Sequence, residues 1–123
     1  MARIRDLMGT GHSGAAAKAI AGTRGAVTAA GSSSQANGTL LSYETNFVTT
    51  AGGADSVVLP TSAQGSQPGD EVVVFNNTST SCNCYPGGSE TANGSTSAIS
   101  VAQNKLLRCK RVSATGWGYI ITA

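Results

Sequence analysis

Charge is scarce in this chain: Asp, Glu, Lys and Arg make up only 11% of it, and the net charge is +2. A balance that small gives nucleic acid no strongly basic surface to hold. Histidine occurs once, at His12, so a Ser–His or Cys–His nucleophilic pair has a single place to form, in a glycine-rich stretch. Aromatic residues are 5% of the chain, too few to line the clefts and stacking platforms that grip sugars or single strands. Cysteines number three, Cys82, Cys84 and Cys109, and an odd count closes no intramolecular disulfide framework. Reduced, partly buried thiols are expected. Beyond the Cys82-x-Cys84 pair only Cys109 and His12 are soft ligands, a poor basis for a closed zinc site. No apolar run approaches the ~20 residues of a membrane span. Lys18 interrupts the apolar run Ala15–Ala21, so neither an export signal nor a membrane segment is expected.

The candidate chemistry is correspondingly thin. Gly9-Thr10-Gly11-His12-Ser13-Gly14 matches a dinucleotide-binding fingerprint, but no Asp or Glu lies between Asp6 and Glu44, where that motif needs an acidic ribose partner. The carboxylates are Asp6, Glu44, Asp55, Asp70, Glu71 and Glu90. Two of them would suffice for glycoside hydrolysis, yet Asp55 and Asp70 sit in turn signals, where such side chains cap backbone N–H groups. The reading is of a non-enzyme with no catalytic residue, cofactor or metal.

What the chain has in quantity is small residues. Gly alone contributes 16 of the 123 positions, which suits short strands joined by many turns better than a helical bundle. A chain of this length holds one compact domain and an arm. Residues 1–37 lack aromatics and carry Arg3, Arg5, Lys18 and Arg24 against Asp6. At most one short helix is expected there, capped by Ser13 and ended by Gly22, and the segment has too few large apolar residues for a core. It is read as an extended arm that orders on a partner, with Arg3, Ile4, Arg5, Leu7, Met8, Ile20 and Arg24 as its contacts.

Residues 38–123 hold every Phe, Tyr and Trp. Strand candidates run over 39–50, 56–59, 70–76, 82–85, 98–101, 105–113 and 116–122, separated by Gly-, Pro- and Asn-rich turns. Six or seven short strands predict an all-β fold, a small β-sandwich or barrel. The stretch Gly69–Pro86 is its centre: a buried strand, a polar tip over Thr78–Asn83, and a returning edge strand. Trp117, Tyr119 and Ile121 share one strand face, while the strand over 105–113 shows no cleanly apolar face and is read as partly covered by a subunit contact. Lys105, Arg108, Lys110 and Arg111 form the one basic cluster. Split between two faces, it suits an acidic protein surface better than nucleic acid, and Lys105, Arg108 and Arg111 are the predicted partner contacts. So thin a core, with no disulfide or metal set to support it, also predicts a homo-oligomer.

One pattern goes further. Ser56-Val-Val-Leu-Pro60, Gly69-Asp-Glu-Val-Val-Val-Phe-Asn76, Asn83-Cys-Tyr-Pro86, Asn93-Gly94 and Thr115-Gly-Trp-Gly-Tyr119 together resemble a small β domain of tailed-bacteriophage virion proteins. The short single domain behind an arm resembles the capsid decoration, or cement, proteins most. That resemblance implies a structural role on the outer surface of a virion capsid, as a homotrimer bound to the major capsid (coat) protein. A tail or fibre adhesin is the alternative it leaves open.

Overall fold

In the computed structural model, which describes residues 22–122, ten strands form two sheets that enclose one core. The strands are β1 (Thr23–Thr28), β2 (Thr39–Leu40), β3 (Thr45–Thr50), β4 (Ser56–Val58), β5 (Glu71–Asn76), β6 (Cys82–Tyr85), β7 (Thr91–Ala92), β8 (Ile99–Val101), β9 (Leu106–Arg111) and β10 (Gly116–Ile121). One 3₁₀ turn, Ser62–Gln64, precedes β5.

The chain does not fold as the expected sandwich or barrel. Its strands form a β-solenoid of stacked coils. Through β6 the chain steps from one sheet to the other with every strand, so β1, β3 and β5 stack in parallel on one side and β2, β4 and β6 on the other. The final strands then reverse: β8 runs antiparallel to β6, β9 to β5, and β10 to β9, with β7 added at the outer edge. The completed orders are β1-β3-β5-β9-β10-β7 and β2-β4-β6-β8.

Gly69–Pro86 shows how the correction arises. The expected hairpin is one corner of a coil, since β5 belongs to the six-stranded sheet and β6 to the four-stranded one. The polar tip between them is pinned rather than free. Buried Asn76 donates through Nδ2 to the carbonyls of Thr80 and Val101, both at 2.8 Å. Its Oδ1 accepts from the Thr78 N–H at 3.1 Å and hydroxyl at 2.7 Å. A side chain that bonds backbone in this way supplies partners that an irregular corner lacks within its own ladder. Asn46 does the same at the start of β3, donating to Tyr43 and Val73 carbonyls at 2.9 and 3.2 Å.

The core is built from alternate residues of both sheets. Val48, Val72, Val74, Leu107, Cys109 and Trp117 face Val57, Cys82, Cys84, Ile99 and Val101. The cysteines are all buried and free. Burial and the nearby Asp55 carboxylate push the Cys82 thiol up to about 11; a hydrogen bond with Cys109 and burial raise Cys84 as well. Such thiols pack as small apolar side chains and present no thiolate.

The arm boundary also shifts. Residues 22–37, counted with the arm, carry β1, which pairs in parallel with β3 and places Val27 and Ala29 in the core. A single large apolar residue in Thr23–Thr28 concealed the strand, and two register irregularities in its pairing with β3 blur its alternation. The helix expected before Gly22 lies outside the described residues, as does the Gly9–Gly14 motif.

Candidate partner-binding face

The outward side of the six-stranded sheet combines exposed apolar residues with cations. Strand register sets the rows. Phe47 on β3 pairs with Phe75 on β5, and Phe75 with Leu106 on β9. One row over, Thr45 pairs with Val73, Val73 with Arg108, and Arg108 with Ile120 on β10. Glu71, Lys110 and Gly118 make the third row. Residues opposite one another in a ladder share a face, so these three rows lie on one surface, backed by the core residues that alternate with them.

One of the rows, Phe47–Phe75–Leu106, is apolar. Phe47 is 39% exposed and Ile120 is 70% exposed. Phe47 meets Phe75 edge to face, with ring centroids 5.8 Å apart, a geometry that the ring quadrupoles favour. Between β9 and β10 the missing side chain of Gly118 helps open a shallow depression, bordered by Arg108, Lys110, Ile120 and Asn93. Beside the apolar row stand Arg108, between Val73 and Ile120, and Lys110, both exposed. Glu71 is the face's acid, and it pairs with Arg108 at 2.9 Å. An exposed pair of this kind adds ~0–1 kcal/mol to stability. Its effect is to hold the Arg108 head over the sheet.

Of the residues predicted to contact a partner, Arg108 belongs to this face, half-buried Lys105 lies just before β9 and out of phase with Leu106, Arg108 and Lys110, and Arg24 is exposed on the edge strand β1. Arg3, Ile4, Arg5, Leu7, Met8 and Ile20 lie outside the described residues. Arg111 is corrected. It is 1% exposed and belongs to the interior, where Nη2 meets Glu90 Oε1 at 2.7 Å. Its Nε donates to Ser66 Oγ at 2.8 Å and its Nη2 to the Pro60 carbonyl at 2.8 Å. Nη1 donates to the carbonyls of Ser113 and Ala114, each at 3.2 Å, and the guanidinium carbon lies 4.6 Å from the Trp117 ring centroid. The strand that showed no cleanly apolar face therefore has a core face, Leu107–Cys109–Arg111, whose charge is neutralised within the molecule. No subunit contact is needed to explain it.

Sequence reasoning missed Phe47, Phe75 and Ile120 as surface residues. Their signal was alternation: Ile120 falls between Tyr119 and Ile121, opposite the face that Trp117 anchors. Among the described residues, no group of three or more His, Cys, Asp or Glu could hold a metal ion, and no helix is long and apolar enough to cross a membrane. No protein-family model matches the chain, and no curated protein matches it.

Proposed function

We propose that this chain is a structural protein of a tailed-phage virion, one that decorates the capsid as a homo-oligomer, a trimer, bound at coat-protein junctions. The observation that carries the reading is the outward face of the six-stranded sheet. A patch that sets an apolar, aromatic row beside charged residues combines the side-chain types that protein–protein interfaces use. Two cations, Arg108 and Lys110, against one paired carboxylate give the face a basic sign, which suits an acidic partner surface and opposes docking of two copies through this same face. The resemblance of the Gly69–Asn76 and Thr115–Tyr119 motifs to phage virion domains supplies the kind of partner. The N-terminal arm adds contacts in this reading, and several weak contacts on one chain raise its retention on a shell far above that of any one of them.

The test is co-sedimentation of the full chain with capsids that lack it. Phe47→Asp and Ile120→Asp change outward side chains and leave the core intact. Each is expected to weaken capsid binding roughly 10- to 100-fold, in the range of an interface hot spot, with a thermal midpoint unchanged in Ile120→Asp and lowered in Phe47→Asp, which also loses the Phe75 contact. Binding by the parent chain should fall as salt rises, because the charges of the face are screened. Undiminished occupancy with both variants would overturn the proposed face. Binding to a glycan array with no affinity for capsids would move the protein to the tail or fibre.

A further inference from the structure

A second site lies around the edge from this face. The connection Leu41–Glu44 between β2 and β3, and the loop Pro60–Asp70 between β4 and β5, border a cleft of about 320 Å³. Leu40, Glu71, Val72 and Lys110 complete its lining. Leu40, Tyr43 and Pro60 give the walls apolar surface, and Leu40 is 41% exposed.

The polar end of the cleft is acidic. Glu44, Asp70 and Glu71 all line it, against the single cation Lys110. Two of these carboxylates are engaged: Asp70 Oδ2 caps the Gln67 N–H at 2.8 Å, and Glu71 Oε1 holds Arg108 at 2.9 Å. Glu44 differs from both. It is 6% exposed, and its buried Oε1 accepts no hydrogen bond among the described residues. An ionised carboxylate out of water is costly unless it is paired. Burial first, and then the Glu71 and Asp70 charges, raise its pKa from the usual 4.5.

We propose that this cleft is a binding site for a cationic head carried on an aliphatic stem, with Glu44 as the acceptor of the charge. The apolar walls take the stem, as they do for any long basic side chain that buries its methylenes. The head pairs with the Glu44 carboxylate, whose Oε1 no described residue bonds, while Asp70 and Glu71 add attraction at the rim and Lys110 stands as the opposing charge. Such a group is the side chain of a lysine or arginine on a partner protein, or a free polyamine. The site goes beyond the virion reading and does not rest on it, because it is tested on the isolated chain.

The experiment follows the Glu44 carboxyl carbon by NMR across pH in the full-length protein, with n-butylammonium and with putrescine, and n-butanol as the uncharged control. Saturating n-butylammonium is expected to lower the Glu44 titration midpoint by at least about one pH unit, which corresponds to about tenfold tighter binding to the ionised form. Butanol should not move it. Calorimetric binding of n-butylammonium should be lost in Glu44→Gln, a variant of the same shape whose fold is checked by its amide spectrum. Putrescine bound at least about tenfold more tightly than n-butylammonium assigns the site to a polyamine; equal or weaker putrescine binding assigns it to a basic side chain. A Glu44 midpoint unmoved by both amines, or equal amine binding by Glu44→Gln, overturns the proposal.

Discussion

Arg111 and Glu90 join parts of the chain that are far apart in sequence. The guanidinium bonds Pro60, Ser66, Glu90, Ser113 and Ala114, and Glu90 Oε2 in turn accepts from the Ser62 N–H at 2.9 Å. Removing one member leaves the other charged and without its counter-charge in the interior, which typically costs about 3–5 kcal/mol. Arg111→Met is therefore expected to lower unfolding free energy by roughly that amount, read from the urea midpoint. Two carboxyls give opposite pH signatures. Burial pushes Glu90 up, but the Arg111 hydrogen bond and charge and the Ser62 bonds outweigh it, so its pKa lies below the usual 4.5. Its stabilisation is present above that usual value and is lost as pH falls through the lowered one. Glu44 is raised, so its contribution is present below the usual value and declines as pH rises through the folded-state one. In thermal scans against pH, Glu90→Gln should flatten the acid limb. Glu44→Gln should remove a loss of stability between acidic and neutral pH. The alternation Leu107–Cys109–Arg111 put Arg111 on a face with apolar residues, but its acid lies 21 residues away. No local pattern marks such a partner.

At the scale of elements, strand positions were readable and strand partners were not. Apolar runs bounded by turn residues located β4 to β6 and β8 to β10 within a few positions, because burial on one side imposes the same period of two whatever the neighbour. The single strand expected over 39–50 is instead β2 and β3, one in each sheet. A hairpin turn and a coil corner draw on the same Gly, Asn, Asp and Ser residues. Asn93 and Gly94 make a tight turn with φ of 48° and 81°, the positive pair that a type I′ hairpin turn requires, whereas Asn76-Asn77 makes a corner. The distinction lies in what the side chains bond. Asn76→Ala removes both donors to buried carbonyls and the acceptor for Thr78, so the β5–β6 corner loses its pin. A cost of roughly 1–3 kcal/mol is expected, with faster amide exchange concentrated over 77–82. Uniform exchange across the sheet would argue against a local role for Asn76.

For the molecule as a whole, unequal coils hid the solenoid. Ladder partners in the parallel part of the six-stranded sheet are Thr23, Thr45 and Val73, and those in the four-stranded sheet are Thr39, Val57 and Cys84. Spacings that differ so much leave no repeat for a sequence search to find. In a stack of this kind stability is close to a sum of coil and interface terms, and each end coil protects the next. The reversed strands β8, β9 and β10 close one end. At the other end β1 covers β3, and Val27 and Ala29 seal the core. A cut that follows composition, after residue 37, would therefore remove a structural strand along with the arm. The chain 38–123 loses Val27, worth about 1.5–3 kcal/mol on full burial. It also bares the β3 edge, with Asn46 and Val48 no longer covered, and an exposed edge beside apolar surface invites association. The chain 22–123 keeps β1 and its ladder. The shorter chain is expected to show a lower thermal midpoint than the longer one and to self-associate in sedimentation. Equal midpoints for the two would mean that β1 adds nothing to the stack.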